Sequence, residues 1–207
     1  MAQKVDSVWV VGGHRPLPLP NKLIRTEFLL DGRYTNAYGD DVRLLGFRTG
    51  IEIKRVHRMG FGLYTLTSPI VKYSYGDVEG EVDVAHFTFS YISTYYERVL
   101  FFNKRWEWVA TGHAGRGSIR ASYSVAGKEE FVEAPPVPVS PLELSTSLYF
   151  HPTWWLSVGA GGGYRYMTRT PREVRSTYNS PVVLFRVKLR FVKIVRRMFN
   201  ENVKYEY

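Results

Sequence analysis

No cysteine occurs among the 207 residues, so neither a disulfide nor a thiolate metal centre can contribute to this fold. Its absence is compatible with an oxidising compartment without demonstrating one. The five histidines lack ligand spacing such as H-x-x-x-H, and neither a metal nor a cofactor is expected. Long apolar runs are missing as well. No stretch approaches the roughly 18 apolar residues of a membrane-spanning helix, which excludes a helical membrane protein. It does not exclude a membrane, because a closed barrel crosses with strands of about 9–11 residues whose inner face can be polar. The start, M-A-Q-K-V-D-S, has no apolar h-region, and Ala2-Gln3 reads as the junction left where a start Met has replaced a secretory signal. The formal charge is +9, yet the basic residues are scattered through alternating segments among acids, and no nucleic-acid partner is expected.

What the chain has instead is alternation. In P-V-V-L-F-R-V-K-L-R-F-V, residues 181–192, Arg186, Lys188 and Arg190 take every second position, with Phe185, Val187, Leu189 and Phe191 between them. Side chains of a strand point alternately to its two faces, so this segment reads as a strand with two unlike environments. Arg186, Arg190, Lys193 and Arg197 also fall near one helical stripe, but the β-branched and aromatic content of 182–192 favours extended structure.

Seven further segments show the pattern. Residues 23–34 set Arg25, Glu27, Asp31 and Arg33 against Ile24, Phe28, Leu30 and Tyr34, and residues 45–54 set Arg48, Glu52 and Lys54 against Phe47, Ile51 and Ile53. In 59–67, Phe61 and Leu63 oppose Gly60, Gly62 and Tyr64; in 84–98, Phe87, Phe89 and Tyr91 oppose His86, Thr88 and Ser90. The segment from Trp106 to Tyr123 has a Gly-rich centre, T-G-H-A-G-R-G-S, where a bulge or sharp bend is expected. Residues 142–150 oppose four apolar positions to Glu143, Ser145, Ser147 and Tyr149, and 155–167 oppose Leu156, Val158, Ala160, Tyr164 and Tyr166 to Ser157, Gly159, Gly161, Gly163 and Arg165.

The connections alternate too. R-V-H-R, L-F-F-N-K-R and H-P-T-W are of hairpin size, whereas residues 35–43, 68–83, 124–141 and the segment T-R-T-P-R-E-V-R-S-T-Y-N-S are longer. Strands joined alternately by short and long connections have all their long loops at one end.

Taken together, residues 21–192 resemble the small eight-stranded outer-membrane barrels of Gram-negative bacteria, the group that includes the OmpA transmembrane domain and OmpX. The last strand, V-L-F-R-V-K-L-R-F, is similar to that family's C-terminal assembly signal, although some 16 residues follow Phe191. The resemblance implies an all-β, antiparallel up-and-down transmembrane barrel with short periplasmic turns and long extracellular loops. It divides the chain into an N-terminal periplasmic segment (1–20), the barrel (21–192) and a tail (193–207), the tail either extending the last strand or forming a short amphipathic helix. It implies location in the bacterial outer membrane and outer-membrane lipid as a partner, with another envelope protein reached through the extracellular loops or the tail.

Under this reading the hydrophobes face lipid and the charges face the lumen. The lumen set is Arg25, Glu27, Asp31, Arg33, Arg48, Glu52, Lys54, Glu107, Glu143, Arg186, Lys188 and Arg190, paired because an isolated buried ion is costly. Glycines 159, 161 and 163 would make room for the long cationic side chains opposite. Tyr95, Tyr96, Phe101, Phe102, Trp106, Trp108, Trp154 and Trp155 crowd the short-turn end, as an interfacial girdle does. Lys54, Arg55, Arg58, Lys104 and Arg105 fall at the short turns, and 67–84 and 122–141 are expected to be acidic extracellular loops.

The rival fold is a soluble barrel of lipocalin type, with hydrophobes lining a cavity and charges in water. It would leave Trp154-Trp155 and Phe101-Phe102 at exposed tight turns. The Gly159–Gly163 run is not a nucleotide loop, because Tyr164-Arg165-Tyr166 continues a strand instead of opening a helix. His86 with Thr88 and Ser90, or His113 with Ser118, raise the alternative of a lipid A-modifying barrel enzyme, but neither matches a hydrolase or acyltransferase motif, and a hydrogen-bonded lumen histidine is the simpler expectation. The expected function is a non-enzymatic barrel with a filled polar lumen, structural or adhesive, or a subunit of a larger envelope complex.

Overall fold

The computed structural model describes residues 24–37, 40–68, 70–72, 82–125, 131–153, 155–168 and 178–189. The 1–20 segment, Arg190, Phe191, Trp154 and the tail lie outside them. Ten strands follow in chain order: β1 (Ile24–Ala37), β2 (Asp40–Ile53), β3 (His57–Leu66), β4 (Ile70–Lys72), β5 (Val82–Phe102), β6 (Trp106–Val125), β7 (Phe131–Glu133), β8 (Val137–Phe150), β9 (Leu156–Thr168) and β10 (Ser180–Leu189). Eight of them close a barrel in the order β5-β3-β2-β1-β10-β9-β8-β6, and β5–β6 pairing completes the ring. All pairs are antiparallel. The fold is therefore the eight-stranded antiparallel up-and-down barrel. The two short strands add to it outside the ring: β4 pairs with β5 at residues 85–87, and β7 with β6 at 122–124. They widen the long β5–β6 hairpin into four strands beyond the barrel on the loop side.

Alternation places the side chains as two-faced strands require. Along β10, Val182, Leu184, Arg186 and Lys188 are buried, while Val183, Phe185 and Val187 are exposed. The outer wall carries Leu30, Phe47, Leu63, Leu144, Leu148, Val158 and Phe185, with Leu144 at 69% exposure. The interior holds three layers. Arginines, a lysine and carboxylates fill the middle. On the loop side, Val42, Leu44, Tyr64, Phe87, Phe89, Tyr91, Ile119, Val139, Met167 and Tyr178 form an apolar cap. On the turn side, Leu29, Val99, Val109 and Tyr149 form a smaller apolar cluster.

Three expectations are corrected here. The connection expected at 35–43 is not long, because β1 runs to Ala37, β2 starts at Asp40, and these two residues pair. The faces of β5 are reversed: Phe87, Phe89 and Tyr91 point inward into the apolar cap, while Thr88 and Ser90 point outward. His86 therefore shares an outward face with them, not a lumen face. The Gly-rich centre of β6 contains no bulge, since one register with β5 holds from Val99↔Val109 to Ser93↔Gly115 and on to Val84↔Ser124. The irregularities fall between Val82 and Val84 and between Val99 and Phe101, and Gly115 instead gives space to the ring of Tyr91, 2.9 Å from where its Cβ would stand.

The short turns are built from local hydrogen bonds. Val56 N–H donates to the Ile53 carbonyl (3.1 Å), and Lys54 (φ 50°) and Arg55 (φ 60°) adopt the left-handed conformation of a primed turn. Between β5 and β6, Asn103 Oδ1 accepts from the backbone N–H groups of Arg105 (2.8 Å) and Trp106 (2.7 Å).

Candidate functional site

Alternating strands aim their polar residues at one axis, so the lumen collects charges from strands distant in sequence. Among the described residues, ion pairs there join six carboxylates (Glu27, Asp31, Glu52, Glu97, Glu107, Glu143) to six cations (Arg33, Arg48, Arg58, Arg165, Arg186, Lys188). The paired set is neutral.

Arg58 of β3 is the hub of the turn-side half. Its Nε lies 2.8 Å from Glu52 and 3.0 Å from Glu27, its Nη1 2.8 Å from both Glu97 and Glu107, and its Nη2 2.7 Å from Glu107. Four strands, β1, β2, β5 and β6, thus supply carboxylates to one guanidinium. Lys188 adds a second cation to Glu107 (3.1 Å) and rests over the Tyr149 ring (4.2 Å).

Asp31 organises the loop-side half. It accepts from Arg33 Nη2 (2.9 Å), Arg186 Nε (3.3 Å) and the Tyr64 hydroxyl (3.0 Å). Arg33 also donates from Nη1 to Glu143 (2.8 Å) and the Tyr91 hydroxyl oxygen (2.8 Å), and from Nη2 to the Tyr64 hydroxyl oxygen (2.7 Å). Because a guanidinium can only donate, its Nη2 contact with His113 Nε2 at 3.3 Å makes that ring nitrogen the acceptor. Arg48 and Arg186 tie the two halves together: Arg48 Nη2 reaches Glu97 at 3.2 Å, and Arg186 Nη1 approaches the same carboxylate at 3.7 Å.

Of the residues marked in the sequence, Glu27, Asp31, Arg33, Arg48, Glu52, Glu107, Glu143, Arg186 and Lys188 lie in this network. Arg25 stands half-exposed on β1 at the turn end. Lys54 does not enter the lumen, because it occupies the left-handed β2–β3 turn and is exposed. Arg58 corrects the sequence reading in the opposite direction. The sequence pattern places it at a short turn, but the connection ends at Val56, and Arg58 is already on β3 with 1% exposure. Its signal was the spacing Arg58-Gly60-Gly62-Tyr64, opposite Met59, Phe61 and Leu63. Glu97 and Arg165 are the other network members outside the lumen set drawn from the sequence. Glycines 159, 161 and 163 face inward but yield their space to β8; at Gly159 a Cβ would stand 2.6 Å from the Tyr149 ring. Gly159 makes room for Lys188 only indirectly, through that ring, whereas Gly161 and Gly163 lie against Ser147 and Ser145.

Outside, Tyr96, Trp106 and Trp108 are exposed, and Phe101, Phe102 and Trp155 are half-buried at the turn end. Trp106 packs on Phe150 (centroids 5.0 Å apart), and Trp108 Nε1 donates to Thr146 Oγ1 (2.6 Å). Tyr95 does not join them. It is 4% exposed inside the lumen, with the Arg48 guanidinium 3.8 Å over its ring. Exposed Tyr34, Tyr164 and Tyr166 stand on the loop-side half.

An antiparallel up-and-down barrel of even strand number, with a charged interior and an apolar wall, belongs to the outer-membrane class of β-barrel. The soluble carrier alternative is overturned, since its apolar cavity and wet charges are the reverse of what this barrel has. No family model and no curated protein matches the sequence. Among solved structures the chain is similar to Neisserial surface protein A (14% identity, covering 82% of this chain and 98% of that one, TM-score 0.48). It is also similar to the N-terminal β-barrel domain of Pseudomonas aeruginosa OprF (10% identity, 81% and 97% covered, TM-score 0.48) and to Ail, the attachment invasion locus protein of Yersinia pestis (12%, 80% and 94%, TM-score 0.44).

Proposed function

We propose that this chain is a closed, non-enzymatic barrel of the bacterial outer membrane, anchored by its apolar wall and acting through its loop-side end as a structural or adhesive surface, or as a subunit of an envelope assembly. The observation that carries the reading is the Arg58–Glu97–Arg186–Asp31 ion-pair network, which crosses the lumen between apolar layers at both ends. An interior filled by side chains is a plug, and eight strands leave no room beside them for a diffusion path. The four-stranded extension formed by β4, β5, β6 and β7 gives the loop-side end a surface beyond the barrel.

Two measurements test this. In cell fractionation the protein should partition with the detergent-extracted outer membrane, and recovery as a soluble periplasmic protein would end the reading. In planar bilayers the purified protein should give no steady large conductance; a stable open channel would replace the plug with a conduit. The loop-side end is assigned to the cell exterior, so protease added to intact cells should cut within 67–84 or 122–141. Cleavage only after the outer membrane is opened would reverse the orientation and remove the surface role.

A further inference from the structure

A groove of about 600 Å³ crosses the outer wall of the barrel, and its walls are two adjacent cross-strand rows of outward side chains. The first row is in register from Leu30 to Phe47, Leu63, Ile92 and Arg116, spanning β1, β2, β3, β5 and β6. The second runs from Leu45 to Thr65, Ser90 and Ser118. Between them the floor is backbone, because the intervening residues either lack a side chain (Gly46, Gly117) or turn it into the lumen (Tyr64, Tyr91). Bulky apolar residues thus line one side, and beyond Leu45 small hydroxyl residues keep the other side low.

The trough is chemically polarised along its length. Four strand spacings of about 4.8 Å make the first row roughly 19 Å long. It is hydrocarbon from Leu30 to Ile92 and ends in a cation. Arg116 is exposed, and among the described residues its guanidinium has no ion-pair, hydrogen-bond or aromatic partner. Arg120, one outward position beyond Ser118 on the same strand, is exposed as well. The row also climbs. Phe47 stands six residues from the turn-side end of β2 (Ile53), whereas Arg116 stands ten from the turn-side end of β6 (Trp106). The cationic end is therefore the end nearer the loops.

We infer that this groove binds a phosphorylated lipid of the loop-side leaflet, one acyl chain lying along Leu30, Phe47, Leu63 and Ile92 and the phosphate held by Arg116 with the Ser90 and Ser118 hydroxyls. An unpaired guanidinium at the border of an apolar wall gains most from an anion that arrives attached to a hydrocarbon chain. A protein partner would have to fill a trough whose occupant in a bilayer is already a lipid tail. The inference rests on the membrane reading and deepens it from general anchoring to a particular lipid.

The test uses the full chain inserted into phosphatidylcholine bilayers doped with diphosphoryl lipid A, followed by extraction into mild detergent and native mass spectrometry. Wild type should retain a lipid A adduct. Arg116→Gln should lower that retention about tenfold, the effect of losing a charge-assisted contact. Ser90→Phe, which fills the trough and leaves Arg116 in place, should lower it as well, with heat-dependent gel mobility showing that both variants fold. Equal retention by all three proteins, or equal retention of phosphatidylcholine and lipid A by wild type, would overturn the inference. So would a dimer mass lost in Ser90→Phe, which would make a second copy the occupant. Failure of the wild type to float with the bilayers would sink the membrane reading itself, whereas flotation without an adduct would sink only the lipid site.

Discussion

Arg58 and Glu107 meet across the barrel through two parallel hydrogen bonds, Nη1 to Oε1 at 2.8 Å and Nη2 to Oε2 at 2.7 Å. This bidentate geometry joins β3 to β6, which flank β5 and are not paired with each other, so it ties three strands of the ring together and not merely a strand pair. The same guanidinium meets Glu27, Glu52 and Glu97, and its removal leaves four carboxylates sharing fewer cations. Arg58→Leu should cost at least about 3–5 kcal/mol, seen as loss of the fast-migrating folded form at lower temperature on unheated gels. Arg58→Lys should lose less, because it keeps the charge but not the fork. A wild-type unfolding temperature in Arg58→Leu would place Arg58 in water.

Glu52 and Glu107 both bind Arg58 but differ in setting. Glu107 has a second cation in Lys188 and a side chain 7% exposed, whereas the Glu52 side chain is 15% exposed near the β2–β3 turn. Glu107→Leu should therefore cost on the order of 3–5 kcal/mol and Glu52→Leu about 1 kcal/mol, compared on the same gels. Equal losses would mean that the turn-side mouth is as dry as the centre.

Lys54 and Arg55 hold left-handed backbone that side chains with a Cβ adopt at a cost of about 1–2 kcal/mol each. Replacing the pair by Asn-Gly, which suits a primed turn, should raise stability by about 1 kcal/mol, measured as a higher urea midpoint for loss of the folded form. No gain would show that the two long side chains make compensating contacts at the turn.

The residues most legible in the sequence were those whose two faces differ in kind. In β10, Arg186 and Lys188 could sit only inside once Phe185 and Val187 faced lipid, and in β9 the glycines marked the inner face just as clearly. Along β5 both parities are ambiguous. Phe87, Phe89 and Tyr91 suit lipid or an apolar lumen cap equally, and only their partners Leu44, Ile119 and Met167, brought in by other strands, decide for the cap. Tyr95 was misread for the same reason, since an aromatic ring at a strand's turn end serves either a girdle or a guanidinium. Arg58 was hidden by the turn beside it. Two residues more or less in a hairpin connection change a charge from solvated to central, and the alternation of β3 alone does not set where that connection stops.

Gly159 offers a test of how tightly the lumen is packed. Its Cβ would meet Tyr149 Cδ1 at 2.6 Å and Cε1 at 2.9 Å, and that ring is fully buried beneath the Lys188 ammonium, so it has little space to retreat. Gly159→Ala should then destabilise the barrel by about 1–3 kcal/mol. Gly162, three residues along the same strand, faces outward, and its Cβ would stand 3.7 Å from the Val182 carbonyl oxygen, an ordinary contact. Gly162→Ala should change stability by less than about 0.5 kcal/mol, which separates the loss of packing space from the general effect of replacing a strand glycine. Shortening the ring should relieve the clash: in the Tyr149→Leu background the cost of Gly159→Ala should fall by about 1 kcal/mol or more. Urea titration of the four proteins in one detergent measures that coupling. Strict additivity would mean that the ring moves aside freely, and that the interior at this level is looser than its contacts with Lys188 and Gly159 require.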